Sequence, residues 1–142
     1  SGAFAFVWVP TEGAPESSLD REPIFKAFRA RRTYGATARI ELEVRSGDRW
    51  MGEDLPGDGP FPIRVRARGS AGIARVEFWD TGSLAHVIEA EGDASLEQTW
   101  SWAGAPPGEH GWLIVRIIQV DGQTAWASPF LSKWERAGDT RD

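Results

Sequence analysis

The feature that most constrains the fold of this chain is a two-residue hydrophobic alternation that starts after Gly35 and continues to about residue 133. In its first segment, Ile40, Leu42 and Val44 alternate with arginine and glutamate residues. Such alternation is typical of a strand with one face in a core and the other in water. The pattern predicts strands at about 39–45, 61–68, 74–79, 84–90, 95–103, 111–120 and 123–133.

Seven short strands, with turn residues at intervals of about ten positions, predict an immunoglobulin-like antiparallel β-sandwich. Asp80-Thr81-Gly82-Ser83 and Asp121-Gly122 are the clearest turn sequences. Residues 112–118 are apolar on nearly both faces, so we expect this strand at the centre of a sheet. Pro129 cannot donate a ladder hydrogen bond, which places the last strand at an edge or at a bulge.

The first 35 residues follow a different pattern. Residues 3–9 are predicted to form a short, uniformly apolar strand, and residues 20–32 are predicted to form the one true helix. Asp20 is a favourable residue for the helix N-terminus, and Gly35 can end the helix. The apolar stripe of this helix consists of Ile24, Phe25 and Phe28.

These patterns divide the chain into a strand–helix unit at 1–35, a β-sandwich domain at 36–135 and a frayed tail at 136–142. The first unit is too small to make a core alone. Its strand has the uniform apolarity of a strand that lies inside a parallel sheet. We therefore interpret the chain as part of a longer protein.

Composition excludes several classes of function. The chain has 142 residues, no cysteine, and two histidines, His86 and His110, that lie far apart in sequence. Disulfides, a cysteine nucleophile and a histidine-rich metal centre are thereby excluded. The net charge of −5 has the wrong sign for a general nucleic-acid binder. No apolar run has the length that a membrane span needs, and the sequence indicates no localisation.

Four segments carry a resemblance to a known family. They read REPIFKAF at 21–28, RRTYGATARI at 31–40, VRIIQVDG at 115–122 and AWASP at 125–129. In this order and spacing they resemble the C-terminal part of a large bacterial family of PHP-like (polymerase and histidinol phosphatase type) metal-dependent hydrolases. In that family a metal-binding α/β barrel precedes the segment RRTYG, and a β-sandwich follows it. The resemblance therefore implies that the strand–helix unit at 1–35 is the remaining end of that barrel.

The resemblance implies an accessory role for this chain. A PHP-type site needs several histidines and carboxylates around two or three divalent metals, and those ligands are expected upstream of Ser1. We therefore expect no catalytic residue, no metal ligand and no cofactor here, and a structural sandwich that packs against the upstream catalytic barrel. Self-association through residues 3–9 is the alternative partner. The residues expected to face the missing barrel are Phe4, Phe6, Trp8, Ile24, Phe25, Phe28, Arg32 and Tyr34.

Eight tryptophans support a rival hypothesis, a carbohydrate-binding or adhesive sandwich module. Trp100 and Trp102 project from the same face of one predicted strand and could stack on sugar rings. The simpler interpretation is that both fill the core, as large aromatic residues do in sandwiches. His86 is expected on a sheet surface or in a turn, and His110 at the top of a hairpin.

Three arginines, Arg64, Arg66 and Arg68, line one face of a predicted strand. They could form a phosphate or nucleic-acid patch. We instead expect cross-strand ion pairs with glutamates on similar faces of neighbouring strands. These glutamates are Glu41, Glu43 and Glu77.

Overall fold

The computed structural model describes residues 4–7 and 33–133. These residues form twelve strands, and none of them belongs to a helix. The strands are β1 (Phe4–Val7), β2 (Thr33–Ala36), β3 (Glu41–Ser46), β4 (Arg49–Trp50), β5 (Asp54–Leu55), β6 (Phe61–Arg68), β7 (Ile73–Asp80), β8 (Ser83–Glu89), β9 (Ser95–Trp102), β10 (Gly111–Gln119), β11 (Thr124–Ala127) and β12 (Phe130–Ser132).

Two sheets are built from these strands. Sheet A has eight strands in the order β1-β2-β11-β10-β7-β8, with β12 beside the start of β10 and β5 beside β12. Sheet B has four strands in the order β4-β3-β6-β9. Within the described part of the chain every pairing is antiparallel except β12 with β5. The prediction of a mainly β fold is therefore confirmed.

Strand β10 occupies the centre of sheet A. One of its edges pairs with β7 from Leu113 to Gln119, and the other edge pairs with both β11 and β12. The central position expected for residues 112–118 is confirmed. Ser128 and Pro129 separate β11 from β12, so the last predicted strand is two strands. The proline lies between them, where no backbone N–H has to donate a hydrogen bond to a neighbouring strand.

The hydrophobic core lies between the inner faces of the two sheets. Alternate residues of β6 in sheet B and of β10 in sheet A are buried, as the two-residue period requires. Trp102 of β9 joins the sheets: its ring contacts Phe61 of its own sheet, and its indole Nε1 donates to the carboxylate of Asp80 in sheet A over 3.0 Å. This bond satisfies the one polar atom of a side chain that is 1% exposed.

Two predicted turns are confirmed. Asp80 and Ser83 close the β7–β8 hairpin, and the two residues between them, Thr81 and Gly82, have φ of 47° and 89°. Positive φ at both central positions gives the turn the twist that a two-residue hairpin favours. Gly122, with φ of 87°, completes the turn between β10 and β11.

The structure corrects three of the N-terminal expectations. Gly35 does not end a helix: it lies in β2, which pairs with both β1 and β11. Strand β1 confirms part of the strand expected at 3–9, but its pairing with β2 is antiparallel and not the parallel pairing that its apolarity indicated. The proposed boundary at residue 35 falls inside β2. The domain division stays a prediction, and the helix at 20–32 and the tail at 136–142 lie outside the described residues.

The central strand gives a direct test of this packing. Ile117 of β10 is fully buried, so Ile117→Ala should lower the free energy of unfolding by roughly 2–5 kcal/mol through lost burial and a new cavity. Val120, at the end of the same segment, is 63% exposed, and Val120→Ala should change stability by no more than about 0.5 kcal/mol. Urea unfolding followed by circular dichroism measures both. Equal losses for the two variants would contradict the central position of β10.

Candidate functional site

The outward face of sheet A carries a group of large apolar side chains. Leu113, Val115 and Ile117 of β10 point into the core, so the residues between them point outward. Trp112 lies opposite Leu131 of β12 on this outward face. We call the group the aromatic face; it consists of Trp79, Leu84, Trp112, Ile114, Trp126 and Leu131.

The cross-strand register places most of these side chains next to one another, whereas Trp126 of β11 lies opposite Arg116 of β10. Trp79 of β7 is opposite Ile114 of β10, and Leu84 of β8 is opposite Trp79. Leu84 and Trp126 are 47% and 38% exposed, and the other four members are half-buried. Single exposed apolar residues are ordinary, whereas several large apolar side chains on one sheet face, three of them tryptophans, are typical of an interaction surface.

A buried carboxylate lies beside the aromatic face. Glu77 of β7 is 6% exposed although it stands on the outward side of sheet A. Its carboxylate accepts a hydrogen bond from the Trp79 indole Nε1 and another from Arg75 Nε, each over 2.9 Å. Arg116 of β10 places a guanidinium nitrogen 3.6 Å from the same carboxylate. The network fixes the orientation of the Trp79 ring.

The pKa of Glu77 reflects this network. Burial alone would raise the pKa, because it disfavours the charged form. The hydrogen bonds from Trp79 and Arg75, together with the charges of Arg116 and Arg75, outweigh burial and hold the pKa of Glu77 below the usual value. Glu77 is therefore an ionised, structural carboxylate at neutral pH.

Gly35 positions the tryptophan nearest to β2. Trp126 of β11 is the cross-strand partner of Gly35, and its ring lies directly over that glycine. A Cβ at position 35 would stand 2.4 Å from Trp126 Cζ2, which is closer than any real contact. The absence of a side chain at Gly35 thus lets the indole lie against β2, so that one side of the ring is covered and the other is available.

The arginine row lies on the outer face of sheet B. Arg66 and Arg68 of β6 are opposite Glu43 and Glu41 of β3, which confirms the expected register, but no ion pair joins them in the described part of the chain. Glu43 pairs instead with Arg45 of its own strand, over 2.8 Å. Arg64 forms an ion pair with Glu97 of β9, whose carboxylate also lies 3.9 Å from Arg66. The charged residues that border a shallow depression of about 460 Å³ are Arg66, Arg68, Glu41, Glu43 and Glu97. The ion pairs of Glu97 with Arg64 and Arg66 are exposed and of small individual value.

One member of that prediction is wrong. Glu77 does not neighbour the arginine row, because β7 belongs to sheet A and its partners there are Arg75 and Arg116. Alternation identifies which residues share a face of one strand, but it does not say which sheet the strand joins.

Trp100 and Trp102 both point inward from β9. Trp102 is buried in the core, and Trp100 packs between Phe78 and His86 with ring centroids 4.8 and 5.3 Å away. The His86 ring is nearly parallel to the indole, at 6°, so His86 lies on the inner side of β8 and not on an outer sheet surface. The pair does not form the outward sugar-stacking platform of the rival hypothesis.

The other predicted site residues fall in three groups. Tyr34 is 7% exposed and belongs to the core, so its side chain does not present an outward interface. Phe4 and Phe6 lie in β1, which is described by its backbone pairing alone. The remaining members, Trp8, Ile24, Phe25, Phe28 and Arg32, lie outside the described residues. His110 lies in the connection from sheet B to sheet A, and not at the top of a hairpin.

Asp121 is a turn residue. Its carboxylate accepts hydrogen bonds from Gln119 Nε2 and from the backbone N–H of Gln123, each over 3.0 Å. The hydrogen bond from Gln119 contributes most, and together the two bonds lower the pKa of Asp121. Gln119 in turn accepts a bond from the backbone N–H of Ser70 over 2.9 Å, so the acid stabilises a loop junction at the end of β10.

Residues 4–7 and 33–133 contain no group of three or more histidine, cysteine, aspartate or glutamate side chains that could hold a metal ion. Over the same residues, no helix is long and apolar enough to cross a membrane. No family model, no curated protein and no solved structure matches this chain. Among the described residues we take the aromatic face as the candidate site.

The Glu77 network predicts a defined pH dependence. Because the pKa of Glu77 is lowered in the folded state, its charge stabilises the fold above the usual glutamate value of 4.5, and this contribution is lost as the pH falls below it. Glu77→Gln should therefore cost roughly 1–3 kcal/mol at pH 7. The difference from the unsubstituted chain should shrink steadily as the pH falls below 4.5.

Urea unfolding at pH 7, 5 and 3.5 measures this difference (roughly spanning the range over which a glutamate titrates). Glu91→Gln is the matched control, since Glu91 is exposed just after the neighbouring strand β8. A Glu77→Gln effect that is constant with pH would show that the charge of Glu77 has no role.

Proposed function

We propose that this chain is a non-catalytic, immunoglobulin-like β-sandwich that packs, through the aromatic face of sheet A, against the catalytic barrel of a PHP-like metal-dependent hydrolase. One observation carries the proposal: three tryptophans, Trp79, Trp112 and Trp126, share the outward face of the larger sheet. The resemblance of the motif segments supplies the identity of the partner. The role is structural, and the metal chemistry belongs to the barrel.

The composition of the aromatic face favours a protein partner. Tryptophan and arginine are the residue types most enriched among the energetically dominant positions of interfaces. Here Arg75 and Arg116 flank the tryptophans, and their side chains remain about two-fifths exposed. Each has donors beyond those that Glu77 accepts, so a carboxylate or carbonyl of the partner could bind them. Burying roughly 400 Å² of apolar surface would contribute about 10 kcal/mol before the costs of association.

The same tryptophans support a second candidate function, carbohydrate binding. The rings of Trp112 and Trp126 stand on one face and could stack on sugars. They would take the place of Trp100 and Trp102, which the rival hypothesis named and which point inward. Sugar stacking needs aromatic planes that lie level and open to solvent, and only Trp126 exceeds a third exposed among the described tryptophans. The protein partner is therefore the better supported of the two.

The test is direct binding between this chain and the polypeptide encoded immediately before it in the parent gene, expressed separately. We expect a stable complex by calorimetry. Trp112→Ala should weaken it by about 2 kcal/mol or more, which is roughly a 30-fold loss of affinity. Trp50→Ala is the matched control, because Trp50 is half-buried on sheet B and contacts Arg45.

Three outcomes would overturn the proposal. They are the absence of a metal-ligand-rich barrel in the preceding polypeptide, the absence of binding to it, and an equal loss of affinity in both variants. Saturable binding of a soluble glycan that is abolished by Trp112→Ala would establish the carbohydrate function instead. Circular dichroism of each variant controls for loss of the fold.

A further inference from the structure

Strand β9 is the longest sheet edge without a partner strand in the described part of the chain. It is the last strand of sheet B and pairs on one side with β6 over its whole length, from Ser95 to Trp102. Among the described residues, no strand pairs with its other side. Alternate residues of an edge strand direct their N–H and C=O groups away from the sheet, so β9 presents a template for one more strand.

The other edges of the described sheets are protected or short. Strands β4 and β5 have two residues each, and β1 has four. Strand β8 has seven, but its pairing with β7 shifts register between Phe78 and Trp79. Natural proteins protect long edges with proline, lysine, bulges or several charges. The sequence SLEQTWSW of β9 contains none of the first three, and its single charge, Glu97, is paired with Arg64.

We infer that β9 pairs with β9 of a second copy of this chain, antiparallel about a two-fold axis at Gln98, to join the two four-stranded sheets into one of eight strands. A two-fold axis normal to the sheet keeps the inward residues of one copy opposite inward residues of the other. One residue of β9 must therefore lie directly opposite its own copy, with the axis passing between the two. This inference is independent of the function proposed for the aromatic face.

The side chains favour the register at Gln98. It places Leu96 opposite Trp100 of the second copy and Trp100 opposite its Leu96, so both half-buried side chains gain an apolar cross-strand partner. It also places Glu97 opposite Thr99, which avoids two like charges facing each other. A shift of the axis to Thr99 would instead put Gln98 opposite Trp100, with no apolar match for that ring.

The expected result is a dimer in sedimentation equilibrium, at twice the 15.7 kDa mass of one chain. Gln98→Lys should convert it to a monomer, because the two lysines would lie directly opposite across the axis. Ser101→Lys is the matched control: Ser101 is also exposed on β9, but it would face Ser95 of the second copy, and the dimer should persist. A monomer of the unsubstituted chain at its highest soluble concentration would overturn the inference.

Disulfide cross-linking is a second measurement, and it determines the register. The chain has no native cysteine, so an introduced cysteine is its only thiol. Residues directly opposite in an antiparallel pair have Cα atoms about 4.5–5.5 Å apart, within disulfide range. Gln98→Cys should therefore form an intermolecular disulfide with oxidised glutathione, whereas Ser101→Cys should not. Equal cross-linking of both variants, or a dimer that survives Gln98→Lys and is lost in Trp112→Ala, would place association elsewhere and overturn the inference.

Discussion

The arrangement of the two sheets follows from strand β10, which is apolar on both faces. A strand of this kind is stable in water only when both faces are covered. Sheet B covers the inner face, where Leu113, Val115 and Ile117 are almost completely buried. The outer face has no second sheet among the described residues, and Trp112 and Ile114 remain half-buried there. The unsatisfied outer face is the physical basis of the proposed docking role.

The network at Glu77 gives this apolar surface a polar component. A buried carboxylate costs free energy unless it is hydrogen-bonded and paired, and here Trp79, Arg75 and Arg116 provide both. The carboxylate thereby holds one tryptophan and two arginines in fixed orientations. A surface whose side chains are fixed before binding loses less conformational entropy on association than a mobile one. The same residues would reject a partner that leaves their charges buried without a counterpart.

Much of the fold could be predicted from the sequence, since alternation depends only on neighbouring residues. The strands from β6 to β10, the central place of β10 and the turn at Asp80–Ser83 all follow from local patterns. Strand β2 could not be predicted, because its four residues include Gly35, which by itself indicates the end of a helix. The cause is non-local: the glycine makes room for Trp126, which lies 91 residues later in the chain.

The candidate site was harder to predict for the same reason. Trp79, Trp112 and Trp126 come from three different strands, and only the pairing of β10 with β7 and β11 brings them to one face. Alternation did place Trp100 and Trp102 together, but it could not determine whether their shared face was inside or outside. The outward positions of Trp112 and Ile114 were contained in the two-sided apolarity of residues 112–118, which is the signal that could have identified this surface.

Hydroxyl-radical footprinting read by mass spectrometry tests whether the aromatic face packs against the barrel. It compares this chain alone with the same chain within the complete parent protein. If the aromatic face docks as proposed, Trp112 and Trp126 are oxidised readily in the isolated chain and are strongly protected in the parent. Trp50, on the opposite sheet, should be oxidised equally in both. Equal oxidation of Trp112 and Trp126 in the two samples would show that the aromatic face stays open to solvent, and would contradict the account.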